Sequence, residues 1–123
     1  FSIHLLAQGR YRLTPLYDVM SILPAAGQGP NQFNWHRATL AMAVSGKNRH
    51  YRIKDIQRRH FNAMTQAILG VSAEPLIQDL LARTPLVIEQ MYASLPAGYP
   101  ARVAESILEG LRHAARRLEA MPA

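Results

Sequence analysis

The sequence predicts a mainly helical α+β chain, in which one or two β-hairpins lead into a bundle of three or four helices. Two observations carry that prediction. Near the N-terminus, apolar β-forming runs come in pairs around glycine-containing turns. From Lys54 onward the hydrophobic period changes from two to about 3.6, the period of a helix. The chain therefore reads as one domain over residues 1–123, with a β-rich segment 1–53 and a helical bundle 54–123.

Ser2–Ala7 and Tyr11–Leu16 flank Gln8-Gly9-Arg10 and predict the first hairpin. A short helical turn is expected over Val19–Leu23, stopped by Pro24, and Pro24–Asn34 reads as a loop by composition. Thr39–Val44 and His50–Ile53, around Ser45–Arg49, predict the second hairpin. Ile56, His60, Met64 and Ala67/Ile68 then line one face of a first helix that Gly70 ends. Ser72 can cap a second helix carrying Ile77, Leu80/Leu81, Thr84, Val87/Ile88, Met91 and Leu95. Pro85 lies inside that pattern and is expected to kink or split it near Ala82–Thr84. Pro100 suits the first turn of a last helix, with Val103, Ile107, Leu111, Ala114, Leu118 and Met121 as its stripe.

Composition narrows the function classes. The 123 residues are 49% hydrophobic, enough for one modest core, and 18% charged, which excludes wholesale disorder. No apolar run approaches the roughly 18 residues of a membrane-spanning helix, and no signal-peptide pattern is present. The absence of cysteine removes disulfides and thiolate metal sites, so a cytoplasmic protein is expected. Phe1-Ser2-Ile3 reads as the middle of a strand, which leads us to expect a piece of a longer protein. The net charge of +6 is uneven. Residues 1–70 hold nine Lys/Arg against Asp18 and Asp55, giving +7; residues 71–123 hold five against six, giving −1. Such a basic half attracts phosphates, nucleic acid or an acidic partner, or is simply a solvated surface.

One acid stands apart. In Tyr11-Arg12-Leu13-Thr14-Pro15-Leu16-Tyr17-Asp18-Val19, Asp18 follows directly on an apolar strand and is the only carboxylate in the first 54 residues. An aspartate at a strand end suits Mg²⁺, whose remaining positions phosphate oxygens and water can fill. The alternative is an aspartate that caps the short helix following it.

Leu13-Thr14-Pro15-Leu16-Tyr17-Asp18 resembles a motif of the HipA family of kinase-fold toxins. The resemblance runs on through Gly29-Pro30-Asn31-Gln32, Thr39-Leu40-Ala41-Met42-Ala43, Gly46–Tyr51 and Arg59-His60-Phe61, then into the helical tail at Leu81–Pro85 and Ser94-Leu95-Pro96. It covers the whole chain and corresponds to the last third of a full-length member. The resemblance implies a C-terminal kinase-like lobe fragment. Asp18 would take the part of the Asp-Phe-Gly aspartate of ordinary protein kinases, binding Mg²⁺ and, through it, ATP. Tyr17 would serve packing. The family's catalytic loop, an Asp-Gly-His-x-Lys-Asn stretch, its ATP-binding lysine and its phosphate loop would all lie upstream of Phe1, so no catalytic residue is assigned here and the chain alone is expected to be inactive. A HipB-like antitoxin and, through it, operator DNA are the implied partners; the implied substrate is an aminoacyl-tRNA synthetase, glutamyl-tRNA synthetase in the best-known members. A non-catalytic helical module that docks an antitoxin or nucleic acid is the alternative.

Other signals are weaker. His4, His36, His50, His60 and His113 lack metal-ligand spacing, and His60 is expected to pack in the core. Gly27-Gln28-Gly29 lacks the third glycine of a phosphate loop. Ser21 and Ser45 have no base and orienting partner. Lys47, Arg49, Arg52, Lys54, Arg58 and Arg59, with Tyr51 and Phe61 among them, form a basic cluster that no nucleic-acid reader motif frames.

Overall fold

A computed structural model describes residues 2–123. The predicted class holds: two small antiparallel hairpins precede three helices, and the helices dominate. Phe1, part of the expected opening strand, lies outside the described residues. Strands β1 (Ile3–Leu5) and β2 (Tyr11–Leu13) pair as Ile3↔Leu13, His4↔Arg12 and Leu5↔Tyr11. All six residues are exposed, so this hairpin is held by its ladder and not by a core.

Between the hairpins the helical turn is displaced from its expected place. A 3-10 turn spans Leu23–Ala25, and Pro24 sits near its start instead of stopping one over Val19–Leu23. A proline lacks the N–H that a first turn leaves unbonded, so the start of a turn accepts it readily. The turn rests on the last helix where Gly110 leaves room; a Cβ there would lie 2.1 Å from Leu23 Cδ1. Strands β3 (Thr39–Ser45) and β4 (Arg49–Arg52) pair at Thr39↔Arg52, Val44↔His50 and Ser45↔Arg49, with a bulge in β3 between Thr39 and Val44.

Helix α1 (Arg58–Leu69) ends at Gly70, whose φ of 70° gives the left-handed cap that only glycine adopts without strain. Helix α2 (Glu74–Ser94) begins where the Ser72 hydroxyl accepts the Glu74 N–H at 3.1 Å. Helix α3 (Ala101–Glu119) follows Pro100. Of the kink or split expected at Pro85, the split does not occur: α2 runs through it. An interior proline costs about 3 kcal/mol, but α2 packs on α3 on both sides of it, with Leu81 before and Ile88 after facing that helix. Among the described residues no helix is long and apolar enough to cross a membrane.

The core is small and belongs to the second hairpin and the helices: Ala38, Val44, Ile56, Ala73, Ile77, Ile88, Ala104 and Leu108. Two predicted faces are corrected. Ala67 and Ile68 of α1 are exposed, because the helix runs past the core beyond Met64. On α3 the buried line is Ala104 and Leu108, and Leu111 and Ala114 instead face a side cavity.

Arg58 also departs from expectation, being buried and absent from the basic surface. Its Nε donates to Glu74 Oε2 at 3.0 Å and its Nη2 to Oε1. Asn62 (3.3 Å) and Gln78 (2.9 Å) donate to the same carboxylate. These bonds, Arg58's first, bring the Glu74 carboxyl down to about 2 from its ordinary 4.5. Its contribution to stability is thus complete above pH 4.5 and lost as pH falls through about 2. In denaturant titrations, Glu74→Gln is expected to be less stable at neutral pH, and its stability to fall less than that of the unmodified chain between pH 4.5 and 2. Ile88, only 1% exposed, leaves a cavity when truncated; Ile88→Ala should lower the unfolding free energy by about 3 kcal/mol, read from the same titrations.

Candidate functional site

Asp18 sits five residues beyond β2, in the stretch that carries the chain from the first hairpin toward the second. Thr14 anchors the start of this stretch, its N–H and hydroxyl both donating to the Ser2 carbonyl at 3.0 and 3.1 Å. Tyr17 is tied across it by a hydroxyl-to-hydroxyl bond with Ser2. Packing was expected of Tyr17, but it is 60% exposed, because the first hairpin offers no second layer to cover it.

Asp18 has a φ of 56°, in the left-handed region, which aspartate tolerates better than most residues. Its side chain is exposed and, among the described residues, makes no hydrogen bond and no ion pair. The helix-capping alternative therefore fails. The nearby turn at Leu23 takes its side-chain bond from Ser21, whose Oγ accepts the Leu23 N–H at 3.3 Å.

The carboxylate opens into a cleft of about 950 Å³ between this stretch and β3. Leu13, Pro15, Leu16, Val19, Met20 and Leu40 make its walls apolar, and Ser2, Thr14 and Tyr17 add hydroxyls. A cavity of this size and character, with few polar groups, suits a small organic molecule. Among the described residues no three His, Cys, Asp or Glu side chains converge to hold a metal by themselves. Asp18 can supply one ligand to a hard cation; phosphate and water would have to supply the rest. That donor set fits Mg²⁺ brought in on a nucleotide better than it fits zinc or calcium, which draw more ligands from protein.

The other predicted features fall elsewhere. Gly27–Gly29 forms no phosphate cradle: Gln32 Oε1 folds back and accepts the Gly29 N–H at 2.8 Å, and Ala26 bridges to Phe33. Lys47, Arg49, Arg52, Lys54 and Arg59 are exposed and unpaired among the described residues. His60 is half-buried, with its ring stacked on His50.

Two arrangements escaped sequence reasoning. One is the Arg58–Glu74 pair, whose partners lie 16 residues apart with no periodic relation. The other is a cavity of about 490 Å³ in which Leu23 and Trp35 face Ile107, Leu111 and Arg117 of α3; the isolated tryptophan was its only signal. No protein-family model matches the chain.

The left-handed backbone at Asp18 separates stability from chemistry. Asp18→Gly should leave the unfolding free energy within about 0.5 kcal/mol of the parent. Asp18→Val, whose branched side chain resists positive φ, should cost about 1–2 kcal/mol. Thermal or urea unfolding of both variants checks the pair.

Proposed function

We propose that this chain is the C-terminal part of a HipA-like serine/threonine protein kinase, in which Asp18 holds the Mg²⁺ that accompanies ATP. The observation that carries the proposal is an aspartate with no partner among the described residues, held in a left-handed backbone at the edge of an apolar cleft. A carboxylate that caps or pairs is committed to the fold; this one, uncommitted among the described residues, is available to a ligand.

Bound Mg²⁺–ATP would supply the γ-phosphoryl group and the charge neutralisation that its transfer to a protein hydroxyl requires. The chain's own share is to hold the metal through Asp18 and to bound the nucleotide site with apolar walls at Leu16, Val19, Met20 and Leu40. The surplus of cations in residues 1–70 favours the approach of a polyphosphate. The catalytic base, the second metal ligand and the lysine that grips ATP belong, on this reading, to an upstream segment. The resemblance at Leu13–Asp18 supports a cytoplasmic toxin kinase, a HipB-like antitoxin bound to operator DNA as partner, and an aminoacyl-tRNA synthetase as substrate.

A second reading, a non-catalytic module that docks an antitoxin or nucleic acid, draws on five cations around β4 and α1 that are unpaired among the described residues.

Phosphotransfer from radiolabelled ATP separates the two. The chain by itself should transfer nothing above background. Joined to its upstream lobe it should phosphorylate a serine or threonine, and Asp18→Asn should lower that rate at least about a hundredfold. Undiminished transfer by the Asp18→Asn variant would remove Asp18 from the mechanism.

A further inference from the structure

The second hairpin leans on α1 mainly through β3, and β4 makes few contacts of its own with that helix. The hairpin's turn approaches closely at Gly46, where a Cβ would lie 3.1 Å from Ala63 Cβ. Val44, beside that turn, and Ile56, at the entry to α1, are buried. The contact of β4 is a face-to-face stack of His50 on His60 of α1, with ring centroids 3.7 Å apart and planes 8° from parallel.

That stack tolerates one charge poorly and two worse. Two imidazolium rings at this spacing would bring like charges into contact. His60 has a second commitment, since its Nδ1 accepts the Gln57 N–H at 3.2 Å at the entry to α1. A protonated Nδ1 has no lone pair to accept with.

The surroundings do not compensate. Strand β3 has no titratable side chain, and β4 brings Arg49, Tyr51 and Arg52. The turn Ile53–Asp55 brings Lys54 and Asp55, the single acid between Asp18 and Glu74. Helix α1 brings Arg59, and Arg58 already neutralised by Glu74. Helix α3 reaches over with Arg117, which donates to the Ile53 carbonyl at 3.4 Å.

We infer that the His50–His60 stack is an acid-sensitive latch: once both rings are charged, the stack and the Gln57 bond are lost together and β4 is released from α1. Burial, with His50 and Arg59 adding like charge, holds His60 below the ordinary histidine value of 6.5. A lowered histidine favours the latched state above that value, and the benefit disappears as pH falls below it. Leu40 on β3 lines both the Asp18 cleft and the groove between Ile56, Phe61 and Leu118. Release of β4, the strand that pairs with β3, would therefore loosen a wall of the cleft. The latch stands whatever occupies that cleft.

Residue-resolved hydrogen–deuterium exchange from about pH 7.5 to about pH 5, corrected for intrinsic rates, tests it. Amides of Arg49–Arg52 and Arg58–Phe61 should lose protection relative to α2, by about tenfold per pH unit for each proton taken up on release. His50→Phe keeps a flat uncharged ring on His60 and should abolish most of that loss. Protection that tracks α2 throughout, or a loss that persists in His50→Phe, would overturn the inference. Should His50→Phe not fold at neutral pH, NMR titration of the unmodified chain decides. Two interacting imidazole steps, with β4 amide shifts in the second, support the latch; independent steps with unmoved β4 amides refute it.

Discussion

Arg58 has 6% of its side chain exposed, and a guanidinium so nearly out of water must be paired or the segment cannot stay closed. Glu74 supplies the pair, and Asn62 and Gln78 occupy the carboxylate's remaining acceptor sites. A buried ion pair adds little over a well-packed apolar replacement, yet breaking one strands a charge. Its effect is therefore positional: it joins the first turn of α1 to the first turn of α2. With that corner set, α1 presents His60 and Ala63 to the second hairpin, and the hairpin carries Leu40 to the Asp18 cleft.

The two ends of the chain are built on different terms. The helical end has apolar side chains interlocked between α2 and α3, with Ile88 at 1% exposure. The first hairpin and the stretch after it leave Leu5, Leu13 and Met20 at 70% exposure or more. An apolar surface of this kind, contiguous with a cleft, marks a place where something binds. Under the proposed reading, nucleotide and upstream kinase lobe would share that surface, and Asp18 would be the point where they meet the metal.

Much of the fold was legible because it rests on local rules. Glycine between β-forming runs, the left-handed cap at Gly70 and the hydroxyl of Ser72 are short-range signals, and each appears where expected. The misreadings came where tertiary packing overrides local preference. Pro85 is accommodated inside an unbroken α2 that packs on α3 on both sides of it, and on α3 Ala104 and Leu108 are buried while Leu111 and Ala114 line the cavity beside Leu23. Asp18 itself was legible as the lone acid after an apolar strand. Its freedom from hydrogen bonds was not, since nothing in a linear pattern told a capping carboxylate from an open one. The His50–His60 stack, formed between a strand and a helix, was likewise invisible to any single period.

The positive φ at Asp18 bears on how natural variants are to be interpreted. Backbone geometry alone admits aspartate, asparagine and glycine at such a site and resists branched side chains. A family of related chains that drifted freely among those three would reveal only a tight bend. Strict retention of the acid, with asparagine never substituting, would instead be the evolutionary imprint of a charge that a cation needs.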